Sequence, residues 1–260
     1  MVTIKKPEEI EVLRQGGRIL AEVLNQVIKA SKPGVKTIEL DKIAEDLITN
    51  KGGIPSFKNY RSRHGDPAFP TTLCTSVNDQ IVHVPASNYS LKEGDVLNID
   101  IGMRYPSDGG FYTDMAATIG IGNISRLARK LIKVTKHSLK IGIKQIKPGN
   151  HISDISKAIQ EYVESNNFSV IRQLVGHGVG YQVHEDPKIP NYFDRRETDI
   201  ELKEGMVLAL EPMVSAGDYI IKTLEDEWSV VVADGSLGAH FEHTIAVTKE
   251  GHEILTDIKL

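Results

Sequence analysis

Apolar residues recur at Ile10, Leu13, Ile19, Leu20, Val23, Leu24, Val27 and Ile28. That three-and-four spacing predicts an amphipathic helix over 8–30, stopped by Pro33-Gly34. A second helix is expected after Thr37, with Leu40, Ile43, Ala44 and Leu47 on one face and Gly52-Gly53 at its end. Similar spacing predicts helices over 125–146 and 153–165. Elsewhere, short alternating runs between turn signals predict strands at 73–77, 80–84, 95–103, 112–120, 170–175, 180–184, 206–210, 229–233 and 241–248.

The pattern repeats. Lys92-Glu-Gly-Asp-Val-Leu-Asn-Ile-Asp100 matches Lys203-Glu-Gly-Met-Val-Leu-Ala-Leu-Glu211, and both segments end in a carboxylate. Lys32-Pro-Gly34 and Lys147-Pro-Gly149 each separate two helical stretches. Asp114-Met-Ala-Ala-Thr-Ile is echoed by Glu242-His-Thr-Ile-Ala-Val. The order helix, helix, strands thus occurs twice, which predicts an α+β chain of two similar halves, about 1–123 and 124–260. No Pro/Gly/Ser-rich linker divides them, so one compact domain over 1–260 with a pseudo-twofold axis is expected.

Composition narrows the function classes. The 260 residues are 40% hydrophobic and 25% charged, as in ordinary globular proteins. A formal charge of −4 and the lack of a Lys/Arg stripe give no reason to expect nucleic-acid binding. One cysteine, Cys74, excludes an internal disulfide and a Cys-rich zinc site. No apolar run approaches the roughly 18 residues of a membrane span. The first residues lack a signal-peptide core, so a cytoplasmic location without a membrane partner is expected.

Candidate chemistry lies at strand ends. A hairpin turning about Ser107 would set Asp100 opposite Asp114, about 4.5–5.5 Å apart. Two bare carboxylates there need a shared proton, a cationic partner or a metal ion. The repeat adds Glu211 and Glu242 at equivalent positions, and a twofold axis would gather all four. That arrangement suits a pair of divalent cations. Of the nine histidines, His177 is flanked by glycines in Gly176-His-Gly-Val-Gly180. His184 and His83 also precede the acidic strands of their halves. His64, His137, His151, His240 and His252 read as surface or packing residues, and His243 alternates to the face opposite Glu242. The glycine-rich segment lacks the Gly-Lys-Ser/Thr ending of a phosphate loop.

These residues carry a resemblance. Thr75-Ser-Val-Asn-Asp with His83, Asn98-Ile-Asp100, Asp114, Gly176-His177-Gly-Val-Gly, His184-Glu-Asp-Pro187, Leu210-Glu211-Pro-Met213 and Glu242-His-Thr244 span nearly the whole chain. The chain resembles the type I methionine aminopeptidases, metallopeptidases of the pita-bread fold, in their short bacterial form. The resemblance implies five metal ligands: Asp100, Asp114, His177, Glu211 and Glu242. It implies two divalent ions (Mn, Fe, Co or Zn), with Asp114 and Glu242 bridging. His83 and His184 would contact substrate, and Glu211 would also shuttle a proton. Asp100 and Asp114 are separated by three more residues than is usual in that family. The extra residues fall at the Pro106–Gly109 tip, where Asp108 is the rival ligand.

Phe69, Cys74, Val183 and Trp228 are expected to line an apolar, methionine-sized pocket. Val183 is smaller than the aromatic residue that the resemblance implies there, which would make the pocket roomier. The implied reaction removes the amino-terminal methionine of nascent chains whose second residue is small, because His83 and loop 60–70 crowd that side. Any ribosome contact would come from the catalytic surface, and a monomer is expected. The competing readings are a Xaa-Pro-specific peptidase of the same fold and a metal-free, non-catalytic binding module.

Overall fold

The computed structural model describes residues 2–61, 67–195 and 199–257. Its helices are α1 (Pro7–Ala30), α2 (Thr37–Asn50), α3 (Arg126–Ile143) and α4 (Ile152–Ser165), close to the expected ranges. Each start satisfies free backbone donors. Glu9, Glu39 and Asp154 reach back to the N–H groups of Lys6, Lys36 and His151 at 2.7–2.8 Å, and Ser125 Oγ accepts from Ala128 N at 3.1 Å. The repeated turns share a conformation. Gly34 and Gly149 have φ of 89° and 85°, and Gly94 and Gly205 have 95° and 85°, values that disfavour a side chain.

Among the described residues, nine strands form the main sheet. Its order is Ile54–Pro55, Val96–Tyr105, Phe111–Gly120, Glu242–Thr248, Val207–Leu210, Gly176–Gly178 and Glu185–Ile189. Leu73–Val77 also pairs with the Val96 strand, and Gly251–Ile254 with the Glu242 strand. The two sequence halves meet where Glu242 stands opposite Ala116 and His243 opposite Met115. α1 packs on the Val96 and Phe111 strands, and α3 packs on α4 and the strand Gly238–His240. A continuous apolar cluster includes Leu24 of α1, Leu40 of α2, Ile99 of the Val96 strand, Leu139 of α3, Ile159 of α4 and Ile245. No helix among the described residues is long and apolar enough to cross a membrane.

The structure corrects three local expectations. The hairpin register places Asp114 opposite Gly102 and Asp100 opposite Ala116, two residues away from the expected Asp100–Asp114 pair. The longer turn, closed between Tyr105 and Phe111, sets that register. The 170–175 run gives only the strand Ser169–Val170. Residues 180–184 form a loop instead of a strand. Its backbone donors at Tyr181 and Gln182 bond to Glu185 Oε1 at 2.5 and 2.9 Å, rather than to a neighbouring strand. Glu185 Oε2 in turn accepts from the buried Lys5 ammonium at 2.8 Å, which ties this loop to the segment leading into α1.

Candidate active site

The candidate site lies on one face of the main sheet. Asp100, Ala116 and Glu242 form a cross-strand row, with Ala116 between the two acids. Asp114 is two residues from Ala116 on its strand and therefore shares its face. Asp100 and Asp114 are diagonal neighbours on that face. Thr244 Oγ1 accepts from Asp114 N at 2.9 Å and donates to Asp114 O at 2.7 Å, fixing that backbone to the Glu242 strand. Glu211 follows directly on the Val207–Leu210 strand, and its carbonyl accepts from Asn191 Nδ2 at 3.0 Å.

His177 sits opposite Ala209. The glycines beside it are sterically required. A Cβ at residue 176 would lie 2.5 Å from Ala209 O, and one at residue 178 would lie 2.2 Å from Asp186 O. His177 Nδ1 bonds to Gly178 O at 2.9 Å. A carbonyl can only accept, so the proton is on Nδ1 and Nε2 keeps its lone pair. Nε2 is 3.5 Å from Glu211 Oε1. One ligand atom each from Asp114, His177 and Glu242 lie within 4.8 Å of one another, close enough to share a cation.

All four carboxylates are buried. Burial pushes Asp100 up to about 6, with His240 opposing the shift and Glu211 adding to it. Burial, then the charges of Asp100 and Glu211, raises Asp114 well above the usual carboxylate range. Burial raises Glu211, and burial plus the three other acids raises Glu242. Asp100 Oδ1, Asp114 Oδ1 and Glu242 Oε1 are buried without hydrogen-bond partners. Carboxylate oxygens with an imidazole nitrogen and no thiolate form a donor set that fits divalent first-row cations.

A cavity of about 280 Å³ opens over these groups. Phe69, Cys74, Val82, Val230 and Trp228 make an apolar wall, and Phe69 and Trp228 meet edge to face at 5.2 Å. Burial, then the charges of Asp100 and Asp114, pushes the Cys74 thiol well up, so it stays protonated and serves as wall. His83 and His184 line the same cavity. His83 has φ of 60°, and burial with His184 and His240 nearby lowers its pKa to about 4. His184 stacks edgewise on His177 at 4.5 Å, and its Nδ1 is 2.8 Å from Tyr60 Oη.

The profile of metallopeptidase family M24 matches residues 11–249. The chain belongs to metallopeptidase family M24. A methionine aminopeptidase of Clostridium perfringens is 49% identical over 259 residues, covering 100% of both chains. The solved methionine aminopeptidase of Rickettsia prowazekii has a TM-score of 0.92 at 38% identity, covering 99% of this chain and 100% of that one. The prolidase of Pyrococcus horikoshii has a TM-score of 0.75 at 22% identity, covering 98% of this chain and 64% of that one, which is a likeness of fold alone. The fold is the pita-bread fold expected from the sequence.

In this M24 metallopeptidase, several expected residues are placed differently. Val183 does not line the cavity over the four carboxylates. It faces an adjoining groove with Arg104, Tyr112 and Gln182, while the neighbouring His184 lines both spaces. The rival Asp108 is exposed at the hairpin tip, away from the cavity. Loop 60–70 falls partly outside the described residues at 62–66, as does His64. Two residues escaped sequence reasoning. Tyr60 had no motif to mark it. His240, expected at the surface or in packing, is 1% exposed with Nε2 3.5 Å from Glu211 Oε2. Its position two residues before Glu242 was an available signal, because alternate residues of an extended chain share a face. His243 bonds instead to Thr256 Oγ1 at 3.1 Å, behind the site.

Proposed function

We propose that this chain is a metal-dependent aminopeptidase that removes the amino-terminal methionine of polypeptides whose second residue is small. The observation that carries the reading is the set of four buried carboxylates and one imidazole beneath an apolar cavity. It stands in a chain 49% identical, end to end, to a methionine aminopeptidase. Asp100, Asp114, His177, Glu211 and Glu242 would hold two divalent ions. When bound, those ions supply Lewis acidity that polarises the scissile carbonyl and acidifies a water.

The remaining chemistry belongs to side chains. Phe69, Cys74 and Trp228 take the methionine thioether, for which aromatic rings and a neutral sulfur are suitable neighbours. Glu211 accepts the proton of the attacking water and passes it to the leaving amine. Tyr60 donates to His184 Nδ1, which leaves Nε2–H as a donor for the oxygen that gains charge at the carbonyl. His83 holds the peptide nitrogen. His83 and Tyr60 crowd the rim and favour a small second residue. The substrates are polypeptide amino termini, acted on in the cytoplasm by a monomer. A proline-specific activity rests on likeness of fold alone.

The test supplies Met-Ala-Ser and Xaa-Pro peptides to metal-free protein titrated with Mn²⁺ or Co²⁺. Methionine release that depends on added metal and stops with chelator is expected, without Xaa-Pro cleavage. Xaa-Pro cleavage alone, or no cleavage at any metal level, would overturn the reading.

A further inference from the structure

His240 is outside the five-residue set, yet it stands among it. It ends the strand Gly238–His240, opposite Met213. Its N–H donates to Thr118 Oγ1 at 2.8 Å, and its carbonyl lies 2.7 Å from the same hydroxyl, so its backbone is held to the Phe111 strand. Nε2 lies 3.5 Å from Glu211 Oε2 and 4.0 Å from Glu242 Oε2. His177 Nε2 lies 3.5 Å from the other oxygen of Glu211. Two imidazoles therefore flank one carboxylate, one at each oxygen.

The two rings are held differently. His177 has its Nδ1 proton bonded to a carbonyl, which turns the Nε2 lone pair toward the site. Metal-ligating histidines almost always have their second nitrogen held in this way. His240 has no partner at either nitrogen. Nothing draws its proton to Nδ1, whereas carboxylate oxygens of Glu211 and Glu242 stand beside Nε2. The favoured tautomer thus carries the proton on Nε2, as a donor and not as a ligand.

We propose that His240 is a positioning residue of the metal centre: its Nε2–H donates to Glu211 Oε2 and leaves Oε1, on the His177 side, for the cation. The proposal rests on the dinuclear reading above and adds a role for this chain's own histidine.

The test titrates metal-free protein with Co²⁺ by calorimetry and visible absorption. It compares wild type, His240→Gln, His240→Leu and His240→Met, with circular dichroism to check folding. Removing a hydrogen-bond partner of a metal ligand costs about 10- to 100-fold in affinity. The leucine and methionine variants should weaken one Co²⁺ site by that factor and shift its ligand-field bands. The glutamine variant retains an N–H donor and should stay within about threefold of wild type. X-ray absorption of wild type with two Co²⁺ should count one imidazole per pair of ions. Two imidazoles would make His240 a ligand and overturn the proposal. So would unchanged affinity and spectrum in a folded non-donor variant. If the wild type binds no Co²⁺, the dinuclear reading fails and takes the proposal with it. If the wild type binds Co²⁺ and releases methionine while the non-donor variants match it, only the role of His240 fails.

Discussion

At the scale of the residue, identical side chains do different work because different atoms face them. His177 and His184 line one cavity, and His240 is buried beside Glu211 below it. A carbonyl fixes the tautomer of His177, the Tyr60 hydroxyl engages His184, and carboxylates face His240. Burial lowers the pKa of His184, which keeps the ring neutral and its Nε2–H available near pH 7. His184→Ala should therefore lower kcat by about 10²–10³, the usual loss for one donor to a developing oxyanion. Metal content should not change, which elemental analysis of the purified variant would check. Loss of metal in that variant would make His184 a ligand.

At the scale of the element, sheet register decides which side chains can share a cation. The row Asp100, Ala116, Glu242 works because its middle residue is small. Ala116 leaves the volume that the flanking carboxylates and any ions they hold would need. A leucine there would add a side chain to a site with no room for it. Ala116→Leu should reduce bound metal from about two ions per chain to below one and abolish methionine release, whereas Ala116→Ser should retain metal. Metal analysis beside circular dichroism would separate loss of the site from loss of the fold. Normal metal content in Ala116→Leu would remove the row from the argument. The hairpin tip extends beyond the Gly102–Asp114 pair, outside the cavity.

At the scale of the whole molecule, four buried acids crowd one site, and a bound cation would offset their mutual repulsion. Buried carboxylates without compensation take up protons, as the raised values of all four acids imply. A cation that binds the folded chain and not the unfolded one adds about 2.7 kcal/mol of stability at a hundredfold excess over Kd. For a chain of this size, thermal unfolding should rise by about 5 °C or more with saturating Co²⁺ or Mn²⁺. Chelator should reverse the rise. A midpoint indifferent to metal would place the ions elsewhere or nowhere.

The helices were legible because their signal is local: the apolar spacing in 8–30 lies within one element, and the Lys-Pro-Gly turns mark its ends. The doubled Lys-Glu-Gly strand was legible for the same reason, and it pointed to Asp100 and Glu211 together. Glycines around His177 announced a close backbone approach before the neighbours at Ala209 and Asp186 were visible. Sequence alone thus determined the four helices, the repeated strand motif and the residue types able to bind a metal. Tertiary structure decided the rest. The hairpin register is set by its turn and by pairing across strands, so Asp100 faces Ala116 and not Asp114. Tyr60 and His184 meet across 124 residues of chain, and His240 and Glu211 meet through separate strands. Whether Val183 or His184 faces the carboxylate cavity depends on a loop held by an ion pair from Lys5 to Glu185, 180 residues apart. Spacing along a chain encodes contacts within an element, whereas the side of a cavity that a residue lines is chosen by packing partners remote in sequence.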